Sequence, residues 1–597
     1  MGPVGRAVKR SFDAVSSALL LLVFSPLIGI CAAAVKLEDG GRVIYEMSQL
    51  FRSLDDTRPV HYEGISHEKE PQYPDTTDVY SQMYTPVAQI REFLKTNRAK
   101  PFILCEYTHS MGNSNGAMHW YTEYAYEEPL YQGGFIWDFL DQTVREWDRY
   151  GHPVLTYGGD RGERPHDGNF SGNGIVYGDG APSPKLQEVK YNYQNILARL
   201  EDGRLKVINR SLFTPTSAYD CRLSLARNGV EIAHAFLETD VPPMGEAAYA
   251  VPFPAQTLGG EYALTASFRL REDTPWAEKG FEVAFGQSVY TIAAPVRSGR
   301  TEPLRVVRGD KNLGVHGLDF EISFSYQLGG LGSYRKGGRE MFKVYPMPNF
   351  WRAPTDNDRG NDLAFRVAQW KLASLYASHK ADPAVRAINA HPPVTENPDG
   401  SVSITFVYAL PTAPRAQCDV TYTVQPTGRV DVRLSYDPVP ELGTMPEFGM
   451  IMKMDAAFDH LRWYGLGPEE NYWDRHEGAR LGIWQNQVSE NVARYPVPQE
   501  CGNHTGVRWA EVTDFRGRGL RFTGREMEFS ALPWTPHELE DALHENELPT
   551  VQYTVIRAAL RQMGVGGDNS WGALTHDEYL IDVSKKLTFE FSFEGIV

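Results

Sequence analysis

Cysteine is scarce and scattered in this chain: Cys31, Cys105, Cys221, Cys418 and Cys501 are spread over 597 residues and never form a CxxC pair. That spacing argues against a disulfide framework or a structural zinc site and fits reduced thiols. Positive charge is also short, with 59 Lys and Arg against 76 Asp and Glu, a net charge of −17, and no long basic run. Such a surface repels nucleic acid and anionic lipid, so no nucleic-acid partner is expected. Internal repeats and long low-complexity linkers are absent too. What is present is ordinary in bulk. Apolar residues make up 42% and charged residues 23%, and the length is that of several domains. Rings are plentiful, at 12 Trp, 31 Tyr and 28 Phe. Aromatic rings stack on sugar faces and equally fill β-sandwich cores.

Long uncharged runs are missing except near the start. Arg6, Lys9 and Arg10 precede 22 uncharged residues from Ala14 to Val35. At about 1.5 Å per residue such a run could cross roughly 30 Å of hydrocarbon. A basic start and Ala32-Ala33-Ala34 suit a signal peptide. The length suits a transmembrane anchor, and Pro26 suits a re-entrant helix broken at the proline. Residues 8–46, VKRSFDAVSSALLLLVFSPLIGICAAAVKLEDGGRVIYE, resemble the N-terminus of bacterial polyprenyl-phosphate sugar-phosphotransferases. The shared features are a basic-Phe-Asp start, a Leu-rich run closing in Ser-Pro, and Gly-x-Val-x-Tyr. The resemblance implies an N-terminal hydrophobic helix and membrane contact through residues 14–35. The catalytic segment of that family has no counterpart downstream, which argues against a membrane sugar-phosphotransferase.

From Met47 the pattern alternates between helix and strand. Met47, Leu50, Phe51 and Leu54 form an i, i+3, i+4, i+7 stripe that predicts an amphipathic helix. Strand-like runs follow at Val60–Tyr62, Val79–Tyr84, Phe102–Glu106 and Gly133–Trp137, with a helix expected at about 117–126. Their spacing predicts βα units of a parallel barrel, and four strands make half of a (β/α)₈ barrel. Barrel chemistry sits at the C-terminal ends of the strands, here Tyr84, Glu106-Tyr107 and Trp137-Asp138. A carboxylate, a phenol and an indole in those places suit sugar cleavage. Taken singly, a carboxylate at a strand end is more often a cap or salt-bridge partner, and Trp137 is equally a core residue or a platform.

Several motifs closely resemble the large bacterial β-galactosidases of glycoside hydrolase family 2: PFILCEYTHSMGNSNG (101–116), YQGGFIWDFLDQ (131–142) and YGGDRGERPHDGNFSGNGIVY (157–177), then FWRAPTDNDRG (350–360), WYGLGPEENYWDR (463–475) and GVGGDNSW (564–571). They run in family order from about Met47 onward. The resemblance implies Glu106 as the nucleophile of a retaining mechanism and Tyr84 as its neighbouring tyrosine. It implies His109 as a hydrogen-bonding partner of the galactosyl ring, Trp137 as the galactose platform and Trp571 as the aglycone platform. Asn173, with the backbone carbonyl of Phe170, matches ligands of a sodium ion. Asp138 and Asp141 match structural positions and stay off the site.

One departure stands out. The family's acid/base glutamate lies in an Asn-Glu-Ser segment, and none precedes Glu106. Magnesium is expected for the family, but its primary ligands are missing, as is the aspartate that completes the sodium site. The family's jelly roll, first sandwich and first barrel half have no counterpart either. Glu46 lies too near Arg58-Pro59 to replace the acid/base.

The remainder is β-rich. Leu205–Val207 and Tyr262–Phe268 are strands of an Ig-like sandwich expected over 196–300. Period-two alternation at Phe320, Ile322, Phe324 and Tyr326, at Val402, Ile404 and Phe406, and at Val430, Val432 and Leu434 implies a large antiparallel sandwich over 301–597. The expected organisation is therefore multidomain α/β plus all-β: a hydrophobic segment (1–46), half a TIM barrel (47–195), the Ig-like sandwich (196–300) and a large β-supersandwich (301–597). The resemblance implies retaining hydrolysis of terminal β-D-galactosides such as lactose, impaired by the missing acid/base. The alternative is an inactive carbohydrate-binding or complementation fragment. A homo-oligomer or a complementing chain, and a cytoplasmic body with membrane association through the N-terminal segment, complete the expectations.

Overall fold

Pro86 opens the first complete βα unit. In the computed structural model, which describes residues 42–67, 73–293 and 302–597, strand β1 (Tyr80–Met83) leads through it into helix α2 (Val87–Thr96). That helix buries Val87, Ile90 and Leu94, spaced to share one face. The Phe93 ring lies 5.2 Å from Tyr80 and 5.5 Å from Phe102, so the helix packs on β1 and on β2 (Phe102–Tyr107). Strands β1 and β2 are parallel, with Met83 opposite Glu106. After helix α3 (Met118–Glu127), β3 (Tyr131–Ile136) completes a three-stranded sheet in the order β1-β2-β3.

Two expectations for this region need correction. Val60–Tyr62 is not a strand. The Val60 N–H donates to the Asp78 carboxylate at 2.6 Å and the Tyr62 N–H to the Thr77 hydroxyl at 3.2 Å, so side chains replace a ladder. The sheet therefore has three strands and not four. The helix predicted around Met47 exists as α1 (Arg42–Leu54), but its apolar stripe faces solvent, with Leu50 58% and Leu54 75% exposed. It is held by its polar side: the Arg52 guanidinium donates to Asp78 at 2.9 Å and to the Ser48 hydroxyl at 3.2 Å. The helix runs unbroken through residues 46 and 47, where the resemblance changes. The hydrophobic helix and membrane contact expected over 14–35 lie outside the described residues. Among the described residues, no helix is long and apolar enough to cross a membrane.

The chain divides into two compact units. One, the strand unit, holds the described residues up to Tyr107 and Glu123–Phe135; the other, the sandwich unit, holds Thr108–Thr122 and Ile136–Val597. Within the sandwich unit, residues 196–292 form two facing sheets. The three-stranded sheet is Glu246–Ala250, Arg204–Asn209 and Ile196–Glu201. The four-stranded sheet is Glu282–Ile292, Gly260–Leu270, Tyr219–Arg227 and Val230–Leu237. Leu205 and Val207 from one sheet share a core with Leu223 and Phe268 from the other. The sheets come so close at Gly286 that a Cβ there would sit 1.8 Å from the Ala198 carbonyl oxygen, which requires glycine.

Residues 305–340 form a five-stranded sheet, and most of the rest joins a twelve-stranded one. Strand Val402–Leu410 buries every second residue, which puts Val402, Ile404 and Phe406 into the same core as Phe320, Ile322, Phe324, Val430 and Leu434. The four cysteines among the described residues are free thiols.

Candidate active site

Chain direction places the first pair. Strand β2 ends at Tyr107, so Glu106 projects from the C-terminal end of a parallel pair, where strand carbonyls give way to loops. Just past β1, Tyr84 has φ of 53°, and its N–H donates to the Glu106 carbonyl oxygen at 2.9 Å. This turns the phenol back along the strand. Its hydroxyl donates to Glu106 Oε2 at 2.6 Å, a short charge-assisted bond. One carboxylate oxygen is thereby fixed.

The other five predicted side chains gather within the sandwich unit. His109 lies in the loop after β2 and is only 1% exposed. Its ring is 5.1 Å from Phe170 and 5.2 Å from Trp571, and those two rings are 5.9 Å apart. Phe170, Trp571 and Trp137 are all exposed, the two tryptophans by 48% and 40% respectively, so buried polar groups sit beneath open aromatic faces. The Asn173 amide is oriented by its neighbours: its oxygen accepts from the Trp137 indole N–H at 3.1 Å and its nitrogen donates to the Ser171 carbonyl at 3.2 Å. That same oxygen is 3.4 Å from His109 Nε2. Backbone bonds tie the pieces together, with the Ser110 N–H on the Trp137 carbonyl at 2.8 Å and the Asp138 N–H on the Asn173 carbonyl at 2.7 Å. The Trp137-Asp138 peptide is cis.

The HSMGNSNG loop is anchored by groups far along the chain. Asn113 N–H donates to Gln499, its side chain donates to the Glu500 carbonyl, and the Gly116 and Ala117 N–H groups donate to the carbonyls of Gly566 and Asp474. The fit is close at Gly116, where a Cβ would stand 2.1 Å from an Asp474 carboxylate oxygen. Burial, reinforced by the positive charge of Lys185, pushes the His109 pKa down to about 4 and keeps the ring neutral.

Lys185, which sequence reasoning did not single out, is buried beneath this cluster. Its ammonium donates to the Ser110 carbonyl at 2.5 Å and the Gly174 carbonyl at 2.7 Å, and so clamps the His109 and Asn173 loops together. Burial lowers its pKa to about 8, with nearby Asp141 acting the other way. Asp141 accepts from the Gly174 N–H at 2.7 Å, in keeping with a structural position, while Asp138 accepts from the Phe139 N–H. Ser570 and Asn357 were also missed, although both lie inside the motifs GVGGDNSW and FWRAPTDNDRG.

The expected sodium site has only part of its ligand set among these residues. Asn173 and Phe170 offer two neutral oxygens, and that of Asn173 is turned to an indole N–H, whereas hard cations gather about six oxygens or more. Among the described residues, no group of three or more His, Cys, Asp or Glu is arranged to hold a metal ion.

The strand unit thus holds a half-buried carboxylate gripped by a phenol, and the sandwich unit a neutral imidazole under open aromatic rings. Three family models match the chain in sequence order: "Glycosyl hydrolases family 2, TIM barrel domain" over residues 38–198, "Beta-galactosidase, domain 4" over 205–291 and "Beta galactosidase small chain" over 316–594. The chain is similar to the β-galactosidases of glycoside hydrolase family 2. The β-galactosidase of Halalkalibacterium halodurans is 43% identical over 564 residues, covering 93% of this chain and 54% of that protein. Those of Priestia megaterium and Streptococcus thermophilus are 40% and 38% identical, each over 93% of this chain and over 53% and 55% of their own lengths. The chain thus spans about half the length of the curated relatives it matches. The barrel-domain match begins at residue 38, within the stretch that resembles a sugar transferase. Residues 38–46 accordingly belong with the barrel segment, and the transferase resemblance gains no support.

Proposed function

We propose that this chain acts on terminal β-galactosides as the nucleophile-bearing part of a retaining glycosidase. The observation that carries the reading is the 2.6 Å bond from the Tyr84 hydroxyl to the Glu106 carboxylate at the end of a parallel strand. Glu106 attacks the anomeric carbon, a C1–O(Glu106) bond forms as the C1–O bond to the aglycone breaks, and water later hydrolyses the galactosyl ester. Tyr84 holds one oxygen so that the other faces the substrate. Trp137 and Trp571 offer faces to the sugar and the aglycone, and His109 and Asn173 bind hydroxyls. The names of the relatives, all β-galactosidases, support galactose as the sugar.

No Asn-Glu-Ser precedes Glu106, so no residue here is assigned to protonate the leaving group. General acid help is worth about 10²–10⁴-fold. Activated galactosides should therefore react where lactose hardly does, and a chain that supplies such a glutamate should restore the difference. The test is a 2-deoxy-2-fluoro-β-galactoside carrying a dinitrophenyl leaving group. Intact mass and peptide mapping should find one galactosyl adduct on Glu106 and none in Glu106→Gln. An unlabelled, folded chain would overturn the nucleophile assignment. A second reading, carbohydrate binding without turnover, is favoured by the five recognition residues lying in one unit that lacks Glu106. Galactose binding with no adduct would select it.

A further inference from the structure

Trp571 stands on a stretch without helix or strand, residues 563–576, so turns and side-chain bonds must give it shape. At its tip the Asn569 side-chain oxygen accepts from the N–H groups of Trp571 and Ala573, both at 3.1 Å. The Ser570 hydroxyl donates to Asn357 at 2.7 Å and lies 2.8 Å from His109 Nδ1, and the Asn361 amide donates to the Ala573 carbonyl at 3.1 Å. At the base, the Thr575 hydroxyl donates to the Gly564 carbonyl at 3.1 Å, and His576 Nε2 lies 3.0 Å from a carboxylate oxygen of Asp568. Asp568 is 5% exposed, and its other oxygen accepts from the Tyr121 hydroxyl at 2.7 Å. A carboxylate so buried is costly unless hydrogen bonds or an opposite charge meet it. All of these residues lie within the sandwich unit.

Only one of these bonds changes charge near neutral pH. The others join amides, hydroxyls and backbone groups, or reach a histidine that burial keeps neutral. His576 lies against the Trp120 ring, with centroids 4.6 Å apart. Burial by itself would lower its pKa, but Asp568, joined by the charges of Glu578 and Asp474, outweighs burial and raises it above the usual 6.5. The ionic part of the contact is therefore complete below pH 6.5 and is lost as pH rises through the raised value. A neutral imidazole still donates one hydrogen bond, a weaker one than the imidazolium gives.

We infer that Asp568 and His576 are positioning residues whose ion pair clasps the base of the Trp571 loop, so that the hold of Trp571 on an aglycone weakens as the imidazolium loses its proton. The aglycone part rests on the galactoside reading above; the clasp does not.

The experiment has two readouts. In protein labelled with 5-fluorotryptophan, the Trp571 fluorine resonance, identified by its loss in Trp571→Phe, should shift with pH along a one-proton curve with its midpoint above 6.5. His576→Gln keeps a donor but has no proton to lose, so the curve should vanish there; in Asp568→Asn its midpoint should fall. Lys185, which titrates near pH 8, is intact in both variants and so is controlled for. A resonance that does not move, or that moves equally in folded His576→Gln, overturns the clasp. The second readout compares binding of galactose with that of 4-nitrophenyl 1-thio-β-galactoside, which adds an aryl aglycone on sulfur. The affinity gained from the aryl group should fall about threefold or more between about pH 6 and pH 9 in the wild type, and stay constant in His576→Gln. A constant gain in the wild type overturns the aglycone claim. If neither compound binds, the galactoside reading fails, and the fluorine resonance still decides the clasp.

Discussion

The strand unit and the sandwich unit hold their chemical groups in opposite ways. In the strand unit, Glu106 is placed by local means: a short parallel strand pair, and a tyrosine 22 positions away that bonds it through both backbone and side chain. That sheet is packed by buried residues such as Ile90, Leu94, Phe102 and Leu104, and helix α1 shows its apolar stripe to solvent. In the sandwich unit, His109 is buried and bonded to Ser570, 461 positions on, while its loop is pinned by residues 474, 499, 500 and 566. The proposed nucleophile is thus held by near neighbours in the chain, and the proposed recognition group by a packed interior built from distant ones.

The contrast can be broken from either side. The largest effect is expected from pH on the buried side. The unfolded His109 ring takes up its proton near pH 6.5 and the folded one only near 4. Between those values the unfolded state binds more protons, so His109 lowers stability as pH falls through 6.5 towards 4, by at most about 3 kcal/mol. Denaturant titrations of wild type and His109→Gln should diverge over that window, because the other groups are common to both. Gly116→Ala comes next. A methyl group beside Asp474 should cost roughly 1–3 kcal/mol and lower Tm, while labelling of Glu106 stays within about twofold. On the strand side, Tyr84→Phe removes a bond to a charged group and should slow labelling by the fluorogalactoside about tenfold, with Tm nearly unchanged. The smallest effect belongs to Phe51→Ser. This exposed residue of the α1 stripe should change stability by no more than about 0.5 kcal/mol, whereas a stripe buried as its pattern suggests would lose several times that.

Sequence reasoning succeeded where the signal is local or periodic. Alternation in Val402–Leu410 reported burial residue by residue, and the 3.6-residue stripe located α1. It failed on which side of α1 is covered, because that depends on Asp78 receiving Arg52, a contact no periodicity records. It also took Val60–Tyr62 for a strand, since apolar composition cannot reveal that Asp78 and Thr77 occupy the backbone donors. The seven predicted site residues fall into two groups, one within each unit, because they sit in recognisable motifs. Lys185 escaped because a lysine in sequence reads as surface, and only burial turns it into a clamp. Asn357 and Ser570 escaped because their contacts with each other and with His109 span 213 and 461 positions.

The separation of His109 from Ser570 also sets a clock. At about 5–20 residues per second of synthesis, roughly 20–90 s pass between the appearance of the two partners. Throughout that interval Glu106 and Tyr84 already exist, while His109 lacks its Ser570 partner. The buried surroundings of His109 are thus completed late, well after Glu106 and Tyr84 have been made.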